Sequence, residues 1–173
     1  MSLSMFQASV PVFAQILTAL GNVLHKAEAH AAARKIDPAV LIAARLAPDM
    51  FPLGRQVQIA CDFAKGAVAR LAGLEPPSWG DDEKTFGEFE DRTRKTVDYV
   101  QGFKPAQIDG SEGRDVTIKV AGKPLTLQGQ PYLLQFVVPN FFFHTTAAYA
   151  ILRHNGVELG KRDFVGRVPG MNA

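Results

Sequence analysis

An apolar stripe with a strict 4-3 spacing runs through the beginning of the chain, and it constrains the fold more than any other feature. Side chains three and four residues apart share one face of an α-helix, so the stripe predicts a long amphipathic helix over about residues 4–31. Its members are Phe6, Val10, Phe13, Leu17, Leu20, Leu24 and Ala27. Pro11 interrupts the segment and predicts either a kink in the first turn or a helix that begins there, with Ser9 as N-cap.

Three further long helices are predicted from the same helical spacing of apolar residues. Their expected bounds are about 52–72, 83–102 and 131–155. Asp37 and Pro38 mark the start of a short helix that continues to about residue 46, and residues 79–82 form the loop and cap before the third long helix. Pro139 lies inside the fourth long helix and predicts a local kink.

The segment 115–129 changes from helical spacing to alternation. Val116, Ile118 and Val120 alternate with polar residues, and Ala121-Gly122 supplies a tight turn. This pattern predicts a β-hairpin with strands near 115–120 and 124–128. Together these segments predict an all-α fold: one domain over residues 1–173, an up-down-up-down four-helix bundle with a small inserted β-hairpin.

The composition is that of an ordinary globular protein and excludes several classes of partner. The chain has 173 residues, 47% of them hydrophobic, and a formal net charge of +2 with scattered basic residues. We therefore expect no binding to nucleic acid or to a membrane surface. The apolar N-terminus lacks the basic region of a signal peptide, and no run is long enough for a transmembrane span. The single cysteine, Cys61, fits a reducing compartment, so we expect a cytoplasmic protein.

His144 is the residue that most suggests chemistry. It occupies a position on the apolar face of the fourth helix, and Asn140 lies one turn before it. A buried imidazole needs a polar partner, so His144 is a hydrogen-bonded structural group, a residual metal ligand or a general base. The second helix carries a polar stripe of Arg55, Gln58 and Asp62. If this stripe faces the fourth helix, Gln58 or Asp62 orients the imidazole; otherwise Arg55 and Asp62 point to water.

Other polar and aromatic residues allow more ordinary interpretations. Tyr149 is a candidate for ligand contact, but it is about 140° from His144 around the helix and suits a core position equally well. His25 and His30 lie off the apolar stripe of the first helix and are interpreted as solvated. The run 141–143 of three phenylalanines covers most of its helix, which favours burial against a second subunit or a lid. We therefore expect a homodimer.

Three stretches resemble the DinB/YfiT-like metalloenzyme superfamily, in particular a branch classed as a domain of unknown function. They are MFPLGRQVQIACDF, PNFFFHTTAAYAILRHNGV and YAILRHNGVELGKRDFVG. The resemblance implies a four-helix bundle, frequently dimeric, that binds a divalent metal through one His on helix two and a His-x-x-x-His pair on helix four. Matched residue by residue, the helix-four pair falls on Asn140 and His144, and the helix-two ligand at or near Gln58.

This ligand set predicts a degenerate metal site. One imidazole and two carboxamides are a poor set of donors for zinc or nickel, so no metal cofactor is expected, and His144 is the metal ligand if there is one. Two functions remain. The first is a homodimer that binds a small molecule or a partner, with a decayed metal site. The alternative is a small-molecule hydrolase or transferase that is metal-assisted or uses His144 as a base.

Overall fold

The computed structural model describes residues 3–170, and most of them are helical. The elements in chain order are α1 (Val10–Arg34), α2 (Pro38–Ala43), α3 (Leu53–Leu71), α4 (Phe86–Gln101), α5 (Pro105–Ile108), β1 (Asp115–Val120), β2 (Lys123–Gln128), α6 (Gly129–Pro131), the π-helix π1 (Tyr132–Val137), α7 (Val138–His154) and α8 (Lys161–Val165). Over this part of the chain, no helix has both the length and the apolar character that a membrane span requires.

The four long helices α1, α3, α4 and α7 share one hydrophobic core. Helix α1 packs against α4 and α7, and α3 packs against the same two helices. The apolar stripe predicted for the first helix is buried from Val10 onward, and the rings of Phe13 on α1 and Phe141 on α7 meet edge to face at 4.9 Å. Helices α2 and α8 are short and lie against α1.

Two helices begin later than the apolar spacing alone predicts, each for a local reason. Helix α1 begins at Val10 rather than at about residue 4, which confirms the second alternative given for Pro11, a helix that begins there. Ser9 occupies the N-cap position, but its hydroxyl donates to the carbonyl of Met5 instead of capping the helix. Helix α4 begins at Phe86 rather than at about residue 83, because Thr85 and Glu88 form a reciprocal capping box there.

The β-hairpin lies where the alternation predicted it. Strand β1 pairs antiparallel with β2, and Val120 is opposite Lys123 across a two-residue loop. Both loop residues, Ala121 and Gly122, have positive φ angles of 49° and 79°, as a type I′ turn requires. Val116 and Ile118 are buried, which fixes the hairpin against the helices.

The fourth predicted helix is divided into α6, π1 and α7. Proline has no amide hydrogen, so Pro139 cannot donate to the carbonyl of Gln135, and its ring crowds that carbonyl. The preceding turn adopts the wider π-helical pattern instead. Asn140 donates from Nδ2 to the carbonyl oxygen of Phe136 at 2.7 Å. The distortion expected at Pro139 is therefore a π-helix immediately before α7.

A histidine–glutamine pair beside an aromatic groove

His144 on α7 is buried, with 8% of its surface exposed, and is hydrogen-bonded to Gln56 on α3. The distance from Nδ1 of His144 to Oε1 of Gln56 is 2.7 Å. The Nε2 group of Gln56 donates to the carbonyl of Phe51 at 3.1 Å, which leaves Oε1 to face the imidazole. An amide oxygen only accepts, so Nδ1 of His144 carries the hydrogen and Nε2 carries the lone pair.

The environment of His144 favours the neutral imidazole. Burial lowers the pKa of His144, and the positive charge of Arg55 lowers it further. Within residues 3–170, no group forms a hydrogen bond with Nε2 of His144. This nitrogen is not fully enclosed by the protein. This nitrogen is therefore a basic atom that retains contact with solvent.

The partners expected for His144 were wrong. Gln58 accepts a hydrogen bond from Nη1 of Arg55 at 3.2 Å and donates to Oε2 of Glu83 at 2.9 Å, so its amide is engaged away from α7. Residues 56 and 58 differ by about 200° around a helix, so only one of them can face His144. Phe63 stacks on His144 and lies seven residues after Gln56, on the same face of α3. The spacing of Gln56 and Phe63 was therefore the feature of the sequence that could have identified Gln56 as the partner of His144.

Asp62 belongs to an ionic network centred on Arg92, whose side chain is 3% exposed. The Arg92 guanidinium contacts Asp62 at 3.1 Å, Asp81 at 2.9 Å and Glu83 at 2.7 Å. Lys65 pairs with Asp62 at 3.0 Å. Asp62 therefore does not orient His144, and its carboxylate is paired rather than simply solvated. Arg55, the remaining residue of the polar stripe predicted on the second helix, also pairs with Asp81.

The two remaining site candidates lie outside the histidine–glutamine pair. The Asn140 amide group donates to its own helix, at the carbonyl of Phe136. Tyr149 is half-buried and packs edge-on against Phe164 at 5.7 Å, on the side of α7 that faces α1. The structure thus brings His144 together with neither of them.

Cys61 is fully buried on α3. Burial raises the pKa of its thiol to about 11, although a hydrogen bond with Thr96 acts in the opposite direction. A thiol with this pKa remains protonated at neutral pH and is a poor nucleophile. Cys61 is therefore a packing residue.

A groove of about 570 Å³ runs between α3, the β-hairpin and π1. Its apolar lining comprises Ile59, Phe63, Ile118, Pro124, Tyr132 and Phe136. Three successive ring contacts connect the groove to the histidine: Tyr132 with Phe136 at 6.2 Å, Phe136 with Phe63 at 5.8 Å, and Phe63 with His144 at 5.8 Å. We call this space the aromatic groove. Phe63 lines it and stacks on the imidazole, so the groove and the histidine–glutamine pair are adjacent.

Polar groups also line the aromatic groove. The Arg70 guanidinium donates from Nη1 to the hydroxyl of Tyr132 at 3.2 Å. Burial raises the pKa of Tyr132, so its hydroxyl stays neutral. Asp62, Glu75 and Lys119 complete the charged lining.

A second cluster on the surface between α1 and α4 was missed in the sequence. One ligand atom each of His25, Glu28 and Glu90 lies within 4.8 Å of the others, an arrangement that could hold a metal ion. Nδ1 of His25 is 3.6 Å from Oε2 of Glu90, and burial raises the pKa of Glu90. His25 is exposed, as interpreted, but Glu90 on another helix comes close to it. The spacing of His25 and Glu28, three residues apart on α1, was the feature of the sequence that could have indicated this cluster. Glu90 lies on α4, so its proximity could be known only from the fold.

Residues 5–165 match the family model described as a domain of unknown function, DUF1993. The chain belongs to the DUF1993 family. It is also similar to a solved crystal structure, a DinB family member protein from Shewanella denitrificans, with 40% sequence identity and a TM-score of 0.86. The match covers 97% of this chain and 95% of that one. A comparison with curated proteins found no match. The DUF1993 chain is thus a DinB-like protein.

The residues around His144 do not fit the divalent metal implied by the DinB-like fold. Gln56 accepts the Nδ1 hydrogen of His144, and the Asn140 amide is bonded to the Phe136 carbonyl. The neighbouring positive charge of Arg55 also opposes a cation. One imidazole nitrogen remains as a donor, whereas zinc sites in proteins use three or four side chains. In this DUF1993 protein a hydrogen bond holds the imidazole.

Proposed function

We propose that this DUF1993 protein binds a small organic molecule in the aromatic groove, next to a degenerate metal site whose remaining imidazole, His144, is held by a hydrogen bond to Gln56. The observation that carries this proposal is the groove itself: a space of about 570 Å³ with a wall of aromatic rings in successive contact that leads to the histidine. Ligand sites in proteins typically measure about 300–1,000 Å³ and combine apolar walls with a few polar groups.

The π-helix supports the same assignment. Such segments are rare, and they occur frequently at functional sites. Here π1 contributes Tyr132 and Phe136 to the groove. The distortion caused by Pro139 therefore places two aromatic rings in the wall of the proposed site.

The test is a fluorescence titration with N-phenyl-1-naphthylamine, a neutral probe that becomes bright in apolar surroundings. Ile59→Trp adds bulk inside the groove, and we expect it to weaken probe binding at least tenfold. Val40→Trp is the matched control, because Val40 is 60% exposed on α2 and does not line the groove. Equal affinity of the wild type and Ile59→Trp would refute the groove as the binding site.

We also propose the assembly in which this site operates: a single up-down-up-down four-helix bundle that forms a homodimer. The packing of α1 and α3 each against both α4 and α7 supports the bundle. Phe143 on α7 supports the dimer, because 56% of this large apolar side chain is exposed in one chain.

A second candidate function is a small-molecule hydrolase or transferase in which Nε2 of His144 acts as general base. The Nδ1 bond to Gln56 favours it, because an imidazole oriented through one nitrogen presents the lone pair of the other. Hydrolysis of p-nitrophenyl acetate tests this candidate. We expect His144→Ala to lose any activity that the control His154→Ala, on the exposed end of α7, retains. Equal rates in the two variants would exclude His144 as the base.

A further inference from the structure

Arg70 brings a positive charge to the apolar wall of the aromatic groove. Among residues 3–170, no carboxylate lies within 4.0 Å of its guanidinium. Its described side-chain partner is the neutral hydroxyl of Tyr132. A half-buried charge without a counter-charge is unfavourable unless something complements it.

The position of this guanidinium depends on two neighbours, one that leaves room for it and one that binds it. Gly66 lies one turn earlier on α3, and a Cβ atom there would be 2.5 Å from Nη1 of Arg70. The guanidinium therefore folds back over a position where only glycine leaves room. The hydroxyl of Tyr132, 2% exposed on π1, accepts its hydrogen bond from the other side. Such a group is oriented by its surroundings before any ligand arrives.

The other charges of the groove do not cancel Arg70. Asp62 is already paired with Lys65 and Arg92. Glu75 and Lys119 are both exposed, carry opposite charges and are screened by solvent. The half-buried part of the groove thus retains one positive charge beside stacked aromatic rings.

We infer that the ligand of this groove is an organic anion with an apolar body, whose charged oxygen atoms are received by Arg70. This inference rests on the proposed function and specifies its ligand class. A guanidinium presents parallel N–H donors that match the oxygens of a carboxylate, sulfonate or phosphate, and such charge-assisted bonds are about twice as strong as neutral ones. The rings of Phe63 and Phe136 provide the apolar surface for the body.

The experiment compares 1-anilinonaphthalene-8-sulfonate with N-phenyl-1-naphthylamine, two fluorescent probes that share an apolar body and differ by the sulfonate. Arg70→Gln removes the charge. Gly66→Ala keeps Arg70 but displaces its guanidinium, while alanine suits the helix. Arg70→Lys keeps the charge without the planar donors and guards against loss of folding in Arg70→Gln. Arg153→Gln, on an exposed position of α7 outside the groove, controls for net charge.

We expect Arg70→Gln and Gly66→Ala to weaken binding of the sulfonate about tenfold relative to Arg153→Gln. The affinity of Arg70→Lys for the sulfonate should lie between those of these two variants and that of the wild type. All four variants should bind the neutral probe with an affinity within about twofold of the wild-type value. The inference fails if Arg70→Gln binds the sulfonate as well as Arg153→Gln, or if both probes weaken equally. If the neutral probe is also insensitive to Ile59→Trp, the proposed function fails as well. Absence of sulfonate binding to the wild type would refute the anion site.

Discussion

His144 and Gln56 are 88 residues apart in the sequence and 2.7 Å apart in the structure, in a buried hydrogen bond that joins α7 to α3. The bond fixes the tautomer of the imidazole and occupies Nδ1, so Nε2 is the one ring nitrogen left with a lone pair. The pair is therefore a structural link between α3 and α7, at a position beside the aromatic groove.

Removing either member of this pair should destabilise the fold. We expect His144→Ala to lower the free energy of unfolding by about 1–3 kcal/mol, since it leaves a cavity and an unpartnered amide oxygen. Gln56→Ala should cost a similar amount, and the double variant less than the sum, because both remove one bond. Urea denaturation of the four proteins measures this coupling. Additive losses would show that the bond contributes no coupling energy.

Stability should depend on pH through His144. Its native pKa lies below the unfolded value of about 6.5, so folding favours the neutral imidazole. The contribution of the neutral His144 imidazole to the free energy of unfolding is complete above about pH 6.5, and it is lost as the pH falls through the native pKa. The difference in unfolding free energy between the wild type and His144→Ala should therefore shrink from pH 7.5 to about pH 5. The raised pKa of Glu90 acts in both proteins and cancels in this difference. A constant difference would contradict the prediction.

Loss of Arg92 should release the loop that precedes α4. We expect Arg92→Ala to cost about 3 kcal/mol, at the low end for a broken buried ion pair, because Asp62 and Asp81 reach solvent. The ring centroid of Trp79, the single tryptophan, lies 4.4 Å from Nζ of Lys65 and 4.3 Å from Nζ of Lys95. If the loop is released, the ring loses these contacts and becomes more exposed to water, so we expect its emission to shift to longer wavelength.

Arg94→Ala is the matched control for this experiment. Arg94 makes an exposed pair with Asp91 at 2.7 Å, and such pairs contribute about 0–1 kcal/mol. Its tryptophan emission and stability should remain close to those of the wild type. An unchanged spectrum in Arg92→Ala would show that Arg92 does not hold the loop.

Zinc added to the untagged protein should bind through His25 rather than His144. His25, Glu28 and Glu90 offer three ligand atoms within 4.8 Å, whereas His144 offers one nitrogen. Calorimetric titration should show binding that His25→Ala abolishes and His144→Ala leaves intact. The reverse result would restore the metal site implied by the DinB-like fold.

The proposed dimer predicts twice the chain mass of 18.8 kDa in sedimentation experiments at tens of micromolar. Phe143→Ser should shift the protein toward the monomer, because it removes an exposed aromatic ring from α7. Leu74→Ser is the control, since Leu74 is similarly exposed, at 53%, outside that helix. A wild type that sediments as one chain under these conditions would exclude the dimer.

The sequence predicted the regular elements better than the contacts between them. The 4-3 stripe and the alternation around Val116 depend on local periodicity, and both patterns correspond to elements of the structure. The start of α4 was predicted about three residues too early. The apolar spacing does not fix a helix end to within a few residues, and the capping box of Thr85 and Glu88 sets the start at Phe86. The partner of His144 was missed because choosing Gln56 over Gln58 requires the rotation of α3 about its axis, which neighbouring helices determine.

The π-helix has a further consequence for how positions correspond between related helices. A turn closed by an i→i+5 hydrogen bond contains one residue more than an α-helical turn, so every later side chain is rotated by about 100° relative to an uninterrupted helix. The direction in which His144 points therefore depends on the insertion at residues 132–137 as well as on its own position. Deleting Gln135, an exposed residue of that segment, would shift the phase of α7 and turn a different side chain toward Gln56.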